Sequence, residues 1–494
     1  MLRAPSKEKL PLKLMHERGA LMGSINSALS VMAGALDADQ EALNVVANNV
    51  ANANTTGYAE EKPDWQEDMP IDVGGILVGD GVTETGATSQ RDRVLEERLD
   101  QQQQLSSASS TRLTALNNIQ ALFTPDSGSA GSTAGDIGSD ITSFFDSFSS
   151  LESDPTDNAL REQVLSSAST LTGDISSAAS SLNGQSSAIN QEASGVVSQV
   201  NSLTSALAQL NLEIESISPN SDAGTLEDQR QQDLSQLSQL IGINQVTTEN
   251  NGLSVTTTSG QLLVSEGQSM ELTTGTVNGV TDFFLGGTDI TSQLATGGGQ
   301  LGGYLTARDT DIPNALNSLD QLAYNISTSV NAANNAGTDL NGATGTAANP
   351  LYIFNEPAQV LGSAAAMSVI MTDPSQIAAA GLGSGTGDNS NAVSMAKLGS
   401  GLIVNGQTPI NYYSNFVSTL GSTVSEVQTE NTAQNASVTQ LQTQNNALSS
   451  VNLNDEAAAL STLENSYQAA SQMFTILNQV MTSALNLGEE TAVA

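Results

Sequence analysis

Few residues in this chain have the types and spacing that catalysis or metal binding requires. Residues 339–342, Asp-Leu-Asn-Gly, begin like a calcium-binding loop, but position twelve, where such a loop has a Glu, is Pro350. A plain turn is therefore the favoured interpretation. The four glycines between 381 and 387 are as dense as in a phosphate-binding loop, yet Lys397 follows too late to complete that motif. They predict a flexible loop, with Asp388 as the N-cap of the next helix.

The remaining residues supply little for nucleophilic or metal-assisted catalysis. The chain has no Cys, which excludes disulfides and thiolate metal sites, and His16 is its only His, which excludes catalytic arrangements with His as the base. Asp and Glu are plentiful, so a carboxylate pair for glycoside hydrolysis stays open, with a peptidoglycan hydrolase as the enzyme alternative. Supporting aromatic residues are scarce, with a single Trp. We therefore predict no enzymatic activity, no cofactor and no metal.

The composition bounds the function further. Fourteen basic and 52 acidic residues give a formal charge of −38, which argues against binding to nucleic acid or to an anionic membrane surface. The acidity favours an exposed, secreted protein that its charge keeps in solution. No apolar run approaches the roughly 20 residues that span a bilayer. The length of 494 residues predicts two to four domains. Because only 3% of the residues are aromatic, we expect their cores to be long, thin seams of small apolar side chains.

The first 21 residues differ from the rest of the chain. They hold five of the fourteen basic residues but lack the apolar region and the cleavage site of a secretory signal peptide. We interpret them as an extension upstream of a native start at Met22, and a genuine basic arm is the alternative. Mass spectrometry of the native protein would distinguish the two.

The two ends of the chain carry matching heptad patterns. Between Met22 and Ala53, apolar residues recur at alternating steps of three and four, with Asp39 as the only polar member. The pattern returns between Leu453 and Ala484, with Glu456 as its only charged member. Two complementary seams at opposite termini predict one coiled coil, so that the chain leaves from and returns to the same place. The predicted assembly seam comprises Ile25, Leu29, Met32, Leu36, Leu43, Val46, Val50, Leu460, Leu463, Tyr467, Phe474, Leu477 and Met481.

The segment between the seams is predicted to be a helical rod that carries a small β domain. A helix of about 60 residues over 157–217 would extend roughly 90 Å. Residues 59–94 predict a few edge strands, whereas 243–295 alternate with period two between turn signals such as Asn251-Gly252. Further helices are predicted at about 94–123, 137–151, 225–241, 312–330 and 390–400, and from Tyr413 to the end.

Together these patterns predict a mainly α fold with a small β domain. It comprises paired N- and C-terminal coiled-coil helices, a long rod-like helical bundle and an outer antiparallel β domain. The predicted domains are a non-native or disordered extension (1–21), an inner helix pair (22–58 and 450–487), the rod (59–242 and 300–449) and the β domain (243–299). An intramolecular bundle is one interpretation of the seams. Assembly, in which neighbouring subunits cover them, is favoured because apolar seams at both termini of a soluble chain need a cover.

Several stretches resemble a known family. Residues 22–29 (MGSINSAL), 36–44 (LDADQEALN) and 48–58 (NNVANANTTGY) resemble the N-terminal signature of flagellar rod, hook and hook-associated axial proteins. Residues 451–460 (VNLNDEAAAL) with 467–471 (YQAAS) resemble the C-terminal signature of the hook-associated protein 1 family. Internal landmarks of that family are similar to TLEDQR at 225–230, LGGYLTARD at 301–309 and GDNSNAV at 387–393.

The chain departs from the family pattern at two places. The family commonly has a basic residue directly after the Gly-Tyr pair, where this chain has Ala59-Glu60-Glu61. The region between about 336 and 380 is short beside that of longer members, which often carry an outer β domain there. We therefore expect this chain to lack that added domain.

The resemblance implies an axial structural protein with no enzymatic activity. It would be exported unfolded through the flagellar type III apparatus and polymerise as a short junction zone between hook and filament. Implied partners are further copies of itself, hook protein, hook-associated protein 3 on the filament side and a dedicated export chaperone, with no nucleic acid and no membrane. The implied location is the secreted flagellum. Alternatives are a hook or distal-rod protein and, from a different class, a secreted helical adhesin.

The terminal helices are also predicted to respond to assembly. A helix that cannot stay folded alone becomes ordered when neighbouring subunits bury it. We expect the free monomer to show hydrogen-exchange protection only between roughly Val94 and Tyr413. Slow exchange at Leu36 or Leu477 in the monomer would count against this expectation.

Overall fold

The structure is a computed structural model that describes residues 12–55, 57–73, 76–124, 136–217, 223–247, 251–277 and 279–490. Helix α1 (Leu12–Asn52) begins inside the predicted extension, and residues 1–11 of that extension lie outside the described residues. In the part of the chain that the structure describes, no helix is long and apolar enough to cross a membrane. Nor does that part contain a group of three or more His, Cys, Asp or Glu side chains placed to hold a metal ion.

Two short antiparallel ribbons follow α1. Strands β1 (Glu61–Glu67) and β4 (Val82–Ser89) pair with each other, and β2 (Ile71–Val73) pairs with β3 (Ile76–Val78). The register of the first ribbon shifts between Asp64 and Trp65, which marks a bulge. Both ribbons pack on α1, so the predicted edge strands are present and lie against the N-terminal helix.

The rod is built from long helices with local capping signals. Helix α2 (Arg93–Ala121) starts at Asp92, whose carboxylate accepts the backbone N–H groups of Val94 and Leu95 at 3.1 Å. Helix α3 (Ile137–Ser153) ends at Asp154, directly before a proline. Helix α4 (Asn158–Ile217) contains 60 residues, as the sequence predicts, and α5 (Thr225–Leu240) follows it.

The β region comprises two antiparallel sheets. The first has the order β5-β6-β7-β8 and the second the order β11-β10-β9. Asn251 has a φ of 60°, the left-handed conformation that the predicted Asn-Gly turn requires. The strands are β5 (Ile243–Thr247), β6 (Leu253–Thr257), β7 (Leu262–Ser265), β8 (Gln268–Ser269), β9 (Leu272–Val277), β10 (Val280–Leu285) and β11 (Thr288–Asp289).

The second half of the chain returns to the terminal helices. A π-helical turn (Ala307–Asp311) interrupts the path between α7 and α8, and the final helical stretch is broken at residues 450–452. The helical pattern predicted from Tyr413 to the end is thus present as two helices. The helices are α6 (Thr291–Gly297), α7 (Gly299–Thr306), α8 (Ile312–Asn335), α9 (Ser363–Ala366), α10 (Ser390–Leu398), α11 (Pro409–Ser449) and α12 (Leu453–Glu490).

Two sequence motifs have their roles defined by the structure. The Asp339 carboxylate accepts the backbone N–H groups of Asn341 and Ala343, so this segment is a turn, as predicted. Asp388 is not the N-cap of α10, because Asn389 occupies that position without a side-chain cap. Asp388 instead accepts the N–H of Gly381 at 2.7 Å and thereby closes the glycine loop.

Two hydrophobic cores lie along the rod, and α4 runs through both. The first half of α4 packs with α3, α8 and the second half of α2, around Phe144, Phe148 and Phe354. Its second half packs with α5, α7 and the two β sheets. Tyr304 contacts both cores. The predicted mainly α fold with a small antiparallel β region and paired terminal helices is thus confirmed.

Candidate assembly surface at the terminal helices

Helices α1 and α12 pack side by side, so one chain supplies both members of the terminal pair. On α12, the face turned from solvent keeps the heptad spacing that the sequence predicts. Of the predicted seam residues, Leu463, Phe474, Leu477 and Met481 are partly buried there. Leu460 and Tyr467 are each 38% exposed and lie at the edge of this face. The buried and partly buried residues of this face are Glu456, Ala459, Leu463, Ala470, Phe474, Leu477, Met481 and Ala484.

Helix α1 is covered from two directions rather than one. Beside α12, it contacts the ribbon of β1 and β4, and Gly81 approaches Val31 so closely that an added Cβ would lie 3.5 Å from it. The most buried stripe is therefore displaced from the predicted seam. Its members are Ser27, Ala38, Ala42, Val46 and Asn49. Of the predicted residues, Val46 is buried, Val50 is 45% exposed, and Ile25, Leu29, Met32, Leu36 and Leu43 are partly buried.

A buried polar cluster fixes the point where the chain leaves and re-enters the terminal pair. The Asn49 amide donates to the Glu456 carboxylate at 2.9 Å and to the Glu61 carbonyl at 2.8 Å. Its oxygen accepts from the Tyr58 hydroxyl at 2.8 Å and from the Glu61 N–H at 3.0 Å. Asn49 is 1% exposed, so its amide is fully paired away from water. One side chain therefore joins α1, β1 and α12, and we call Asn49, Tyr58, Glu61 and Glu456 the polar knot.

The electrostatics of the polar knot follow from its burial. Burial raises the pKa of Glu456, and the hydrogen bond from Asn49 only partly offsets this rise. Burial also raises the pKa of the Tyr58 hydroxyl, with the charge of Glu61 adding to the effect. Beside the knot, the Glu60 N–H donates to the Ser449 carbonyl at 2.8 Å. This hydrogen bond joins the segment that leads from α1 into β1 to the C-terminal end of α11.

Asn49 is the residue that the sequence interpretation missed. The sequence interpretation used residues 48–58 as part of a family signature, which gives Asn49 no physical role, and Asn49 lies within α1. The available signal was Glu456, the only charged member of the C-terminal seam. A buried polar residue on one helix of a coiled coil needs a polar partner on the other, and such pairs fix the register of the helices.

A joint of ion pairs connects the terminal pair to the rod. Arg91 pairs with Glu96 at 3.2 Å and with Asp228, and Arg93 pairs with Glu227 at 2.9 Å. Arg91 also donates to the carbonyl of Gly57 in the turn after α1. These contacts hold α2, α5 and that turn together, and they give the TLEDQR segment its structural role.

Asp100 lies beneath this joint with almost no solvent contact. It is 1% exposed, and one carboxylate oxygen accepts from the amides of Gln231 at 3.0 Å and Gln245 at 2.8 Å. Its other oxygen has no hydrogen-bond partner among the described residues. Burial raises the pKa of Asp100 to about 7, with Glu96 adding to the rise and the two amides opposing it.

The other internal landmarks are packing devices as well. A Cβ at Gly303 would lie 2.5 Å from the Ala108 carbonyl oxygen, so only Gly lets α7 approach α2 this closely. Arg308, which is 4% exposed, donates to Asn190 on α4 at 2.9 Å and to the Thr281 carbonyl on β10. Arg308 therefore joins the β region to the rod.

Large apolar side chains remain exposed on the terminal pair. The stripe of Met473, Ile476 and Val480 on α12 lies beside the seam, and these side chains are 57%, 58% and 47% exposed. We call this stripe the outer face of α12. On the ribbons, Trp65, Met69 and Leu77 are 50%, 88% and 73% exposed. Contiguous exposed apolar surface on a soluble chain marks an interaction site.

Comparisons with known proteins identify relatives over nearly the whole chain. The family model described as flagellar hook-associated protein FlgK helical domain matches residues 127–348, and that of flagella basal body rod protein matches 29–58. The chain is 25% identical to flagellar hook-associated protein 1 of Salmonella typhimurium over 561 aligned positions, covering 94% of this chain and 99% of the relative. The same-named proteins of Escherichia coli and Bacillus subtilis are each 24% identical, with the same coverage.

A solved structure has the same fold. The flagellar hook junction protein FlgK from Burkholderia pseudomallei aligns with a TM-score of 0.60 and 18% sequence identity, covering 70% of this chain and 99% of that structure. The resemblance drawn from the sequence is thus confirmed: the chain is similar over nearly its whole length to the flagellar hook-associated protein 1 proteins, and residues 127–348 match the helical domain described for FlgK.

Proposed function

We propose that this chain is a structural axial component of the bacterial flagellum at the junction between hook and filament. Relatives that bear the name of hook-associated protein 1 cover 94% of the chain, which supports this role. The observation in the structure that carries the proposal is the folded-back terminal pair with an apolar outer face on α12. An exposed apolar face marks an interaction site, and in an axial assembly neighbouring subunits would bury this face.

Within this role, we propose a division of labour along the chain. Residues 22–58 and 450–487 form the inner assembly unit, 59–242 and 300–449 the rod, and 243–299 the outer β domain, with 1–21 as an extension. Those predicted seam residues that are buried or partly buried hold α1 and α12 together, and the outer face of α12 contacts the next subunit. The polar knot and the joint of ion pairs link the inner unit to the rod.

The proposed partners follow from this position. Copies of the chain contact each other and hook protein on one side, and hook-associated protein 3 on the filament side. A dedicated export chaperone precedes assembly, and the chain acts outside the cell after type III export. The absence of Cys is compatible with passage to an uncontrolled redox environment. Its work is mechanical adaptation between two lattices rather than catalysis.

A deletion mutant of the source bacterium tests the function. The proposal predicts hooks without filaments in electron micrographs and flagellin lost to the medium, both restored by the intact gene. The adhesin alternative predicts a motile mutant with complete filaments. A hook or distal-rod protein predicts a mutant without complete hooks, and the match of 127–348 to the FlgK helical domain favours the junction over that alternative.

Two substitutions on α12 separate its inner and outer faces. Leu477→Asp places a charge between α1 and α12, so we expect it to abolish incorporation while the rod stays folded. Ile476→Asp changes the outer face, so we expect the rod to stay folded in the monomer and the contacts between α1 and α12 to be unchanged, while incorporation is lost. Gln479→Asp, at an exposed polar position, is the matched control. Normal incorporation of Ile476→Asp would contradict the proposed use of the outer face.

A further inference from the structure

An apolar cavity opens where α1, α12 and β3 meet. It has a volume of about 370 Å³, and its apolar walls are Ala28, Val31 and Met32 from α1, Val78 from β3, and Met473 and Leu477 from α12. An apolar protein cavity of about 150 Å³ is enough to bind benzene, so this one has room for a larger aromatic group. It lies beside the outer face of α12, because Met473 belongs to both.

One polar atom in the wall of this cavity lacks a partner. Ser27 is 9% exposed, and its hydroxyl oxygen has no hydrogen bond among the residues that the structure describes. A buried hydroxyl without a partner costs free energy, and a Ser inside a helix commonly avoids this cost by bonding to a backbone carbonyl. Because a hydroxyl can donate or accept, the cavity is matched to a large apolar group that carries one hydrogen-bonding atom.

The chain itself carries one such group. Trp65 is the only Trp, lies on β1 and is 50% exposed, although Trp is among the residues that gain most from burial at interfaces. Among the described residues, its indole N–H donates no hydrogen bond, and Trp65 does not line the cavity of its own chain. Met69 and Leu77 are also exposed on the ribbons, but Leu77 has no hydrogen-bonding atom and the Met69 thioether is only a weak acceptor.

We propose that Trp65 of one copy inserts into the cavity between α1, α12 and β3 of a neighbouring copy and donates its indole N–H to Ser27. The contact joins two different surfaces, so it is heterologous and propagates along an axial assembly rather than closing a dimer. It rests on the proposed function, because it requires copies to be neighbours. Copies of a chain with a formal charge of −38 repel each other at long range. The attraction at this contact is instead apolar, because the indole ring enters an apolar cavity.

Site-specific cross-linking tests this contact in assembled flagella. The full chain with Trp65→p-benzoylphenylalanine is expressed in the deletion strain, irradiated on purified hook–filament complexes, and examined by electrophoresis and peptide mass spectrometry. We expect a band with the mass of two copies, in which residue 65 is linked to a peptide containing residues 24–32 or 473–477. Links only to hook protein or to other regions of the chain would overturn the proposal.

A pair of variants at the cavity provides a second test. Ala28→Leu fills the cavity, whereas Ala47→Leu adds the same atoms at an exposed position of α1. We expect Ala28→Leu and Trp65→Ala each to lower the amount of chain per hook by about tenfold, as for loss of a central interface residue. Ala47→Leu should leave it unchanged.

The outcomes distinguish this contact from the proposed function. Normal amounts of Trp65→Ala and Ala28→Leu on hooks that carry filaments would overturn the Trp65 contact and leave the junction role standing. Complete filaments in the deletion strain itself would overturn the junction role. Circular dichroism of each monomer confirms that a variant lost from hooks is still folded.

Discussion

The buried carboxyl of Asp100 should make the stability of the monomer depend on pH in a way that Asp100→Asn removes. The pKa of Asp100 is raised from 3.8 to about 7 by burial, and the side chain is 1% exposed. Between these two values the unfolded chain has released the proton while the folded chain keeps it. The free energy of unfolding therefore falls as the pH rises through this window and is constant above it.

The magnitude follows from the size of the shift. About 3 pKa units correspond to roughly 4 kcal/mol of lost stability at pH 8 relative to pH 4. Asp100→Asn keeps an oxygen that accepts from Gln231 and Gln245, but its new NH2 group faces a position without a partner, which costs about 1–3 kcal/mol. We therefore expect the variant to be less stable than the parent at pH 4.5 and more stable, by about 1–3 kcal/mol, at pH 8.

Urea unfolding of the monomer, followed by circular dichroism from pH 4.5 to 8, measures this difference. Asp146→Asn, on the exposed side of α3, is the matched control and should shift the free energy of unfolding by less than about 0.5 kcal/mol throughout. The informative quantity is the difference between variant and parent, because carboxyls remote from Asp100 titrate equally in both. A variant that is destabilised equally at all pH values would refute the account of Asp100.

Three further changes test the packing and the polar knot. Asn49→Ala leaves four hydrogen-bonding groups of the knot without their partner, so limited proteolysis of purified hook–filament complexes should release α12 several times faster than in Asn44→Ala, whose site is exposed. Glu456→Gln keeps an acceptor for Asn49 and removes a charge that burial disfavours, so hydrogen exchange in α12 should become slower than in the parent as pH rises above 4.5. Gly303→Ala should lower the free energy of unfolding, measured by calorimetry, by about 1–3 kcal/mol. Gly173→Ala, where an added Cβ meets nothing within 4 Å, should raise it by about 0.5–1 kcal/mol.

The sequence predicted those features that repeat along the chain. The heptad spacing located both terminal helices, and the change to period two located the β region, because burial of one face repeats with the geometry of helix or strand. The pairing of distant termini followed from the match between two seams. The 60-residue length of α4 could be predicted because its apolar positions continue without interruption by Pro.

Features that depend on a third element could not be predicted. The displacement of the buried stripe on α1 arises from the ribbon of β1 and β4, whose position no spacing on α1 reveals. Asp388 was expected to cap α10, but it bonds across the glycine loop to Gly381, which is seven residues away in the sequence. Such contacts are set by tertiary packing rather than local preference.

The internal landmarks illustrate the same limit. Their residues were assigned to the family by resemblance, without a physical role. In the structure, Glu227 and Asp228 pair with arginines before and within α2, and Arg308 joins α4 to β10. Each of these two landmarks thus joins separate parts of the structure, which a single sequence cannot display.

The most direct measurement for the central claim is the reactivity of a cysteine introduced on the outer face of α12. Because the chain has no Cys, Ile476→Cys and the control Leu382→Cys, which is 73% exposed on the glycine loop, each provide a single thiol. We predict that maleimide labels both positions in the monomer, and that on purified hook–filament complexes Ile476→Cys becomes protected while Leu382→Cys stays reactive. Equal labelling of Ile476→Cys in the monomer and on the flagellum would contradict the claim that neighbouring subunits cover this face.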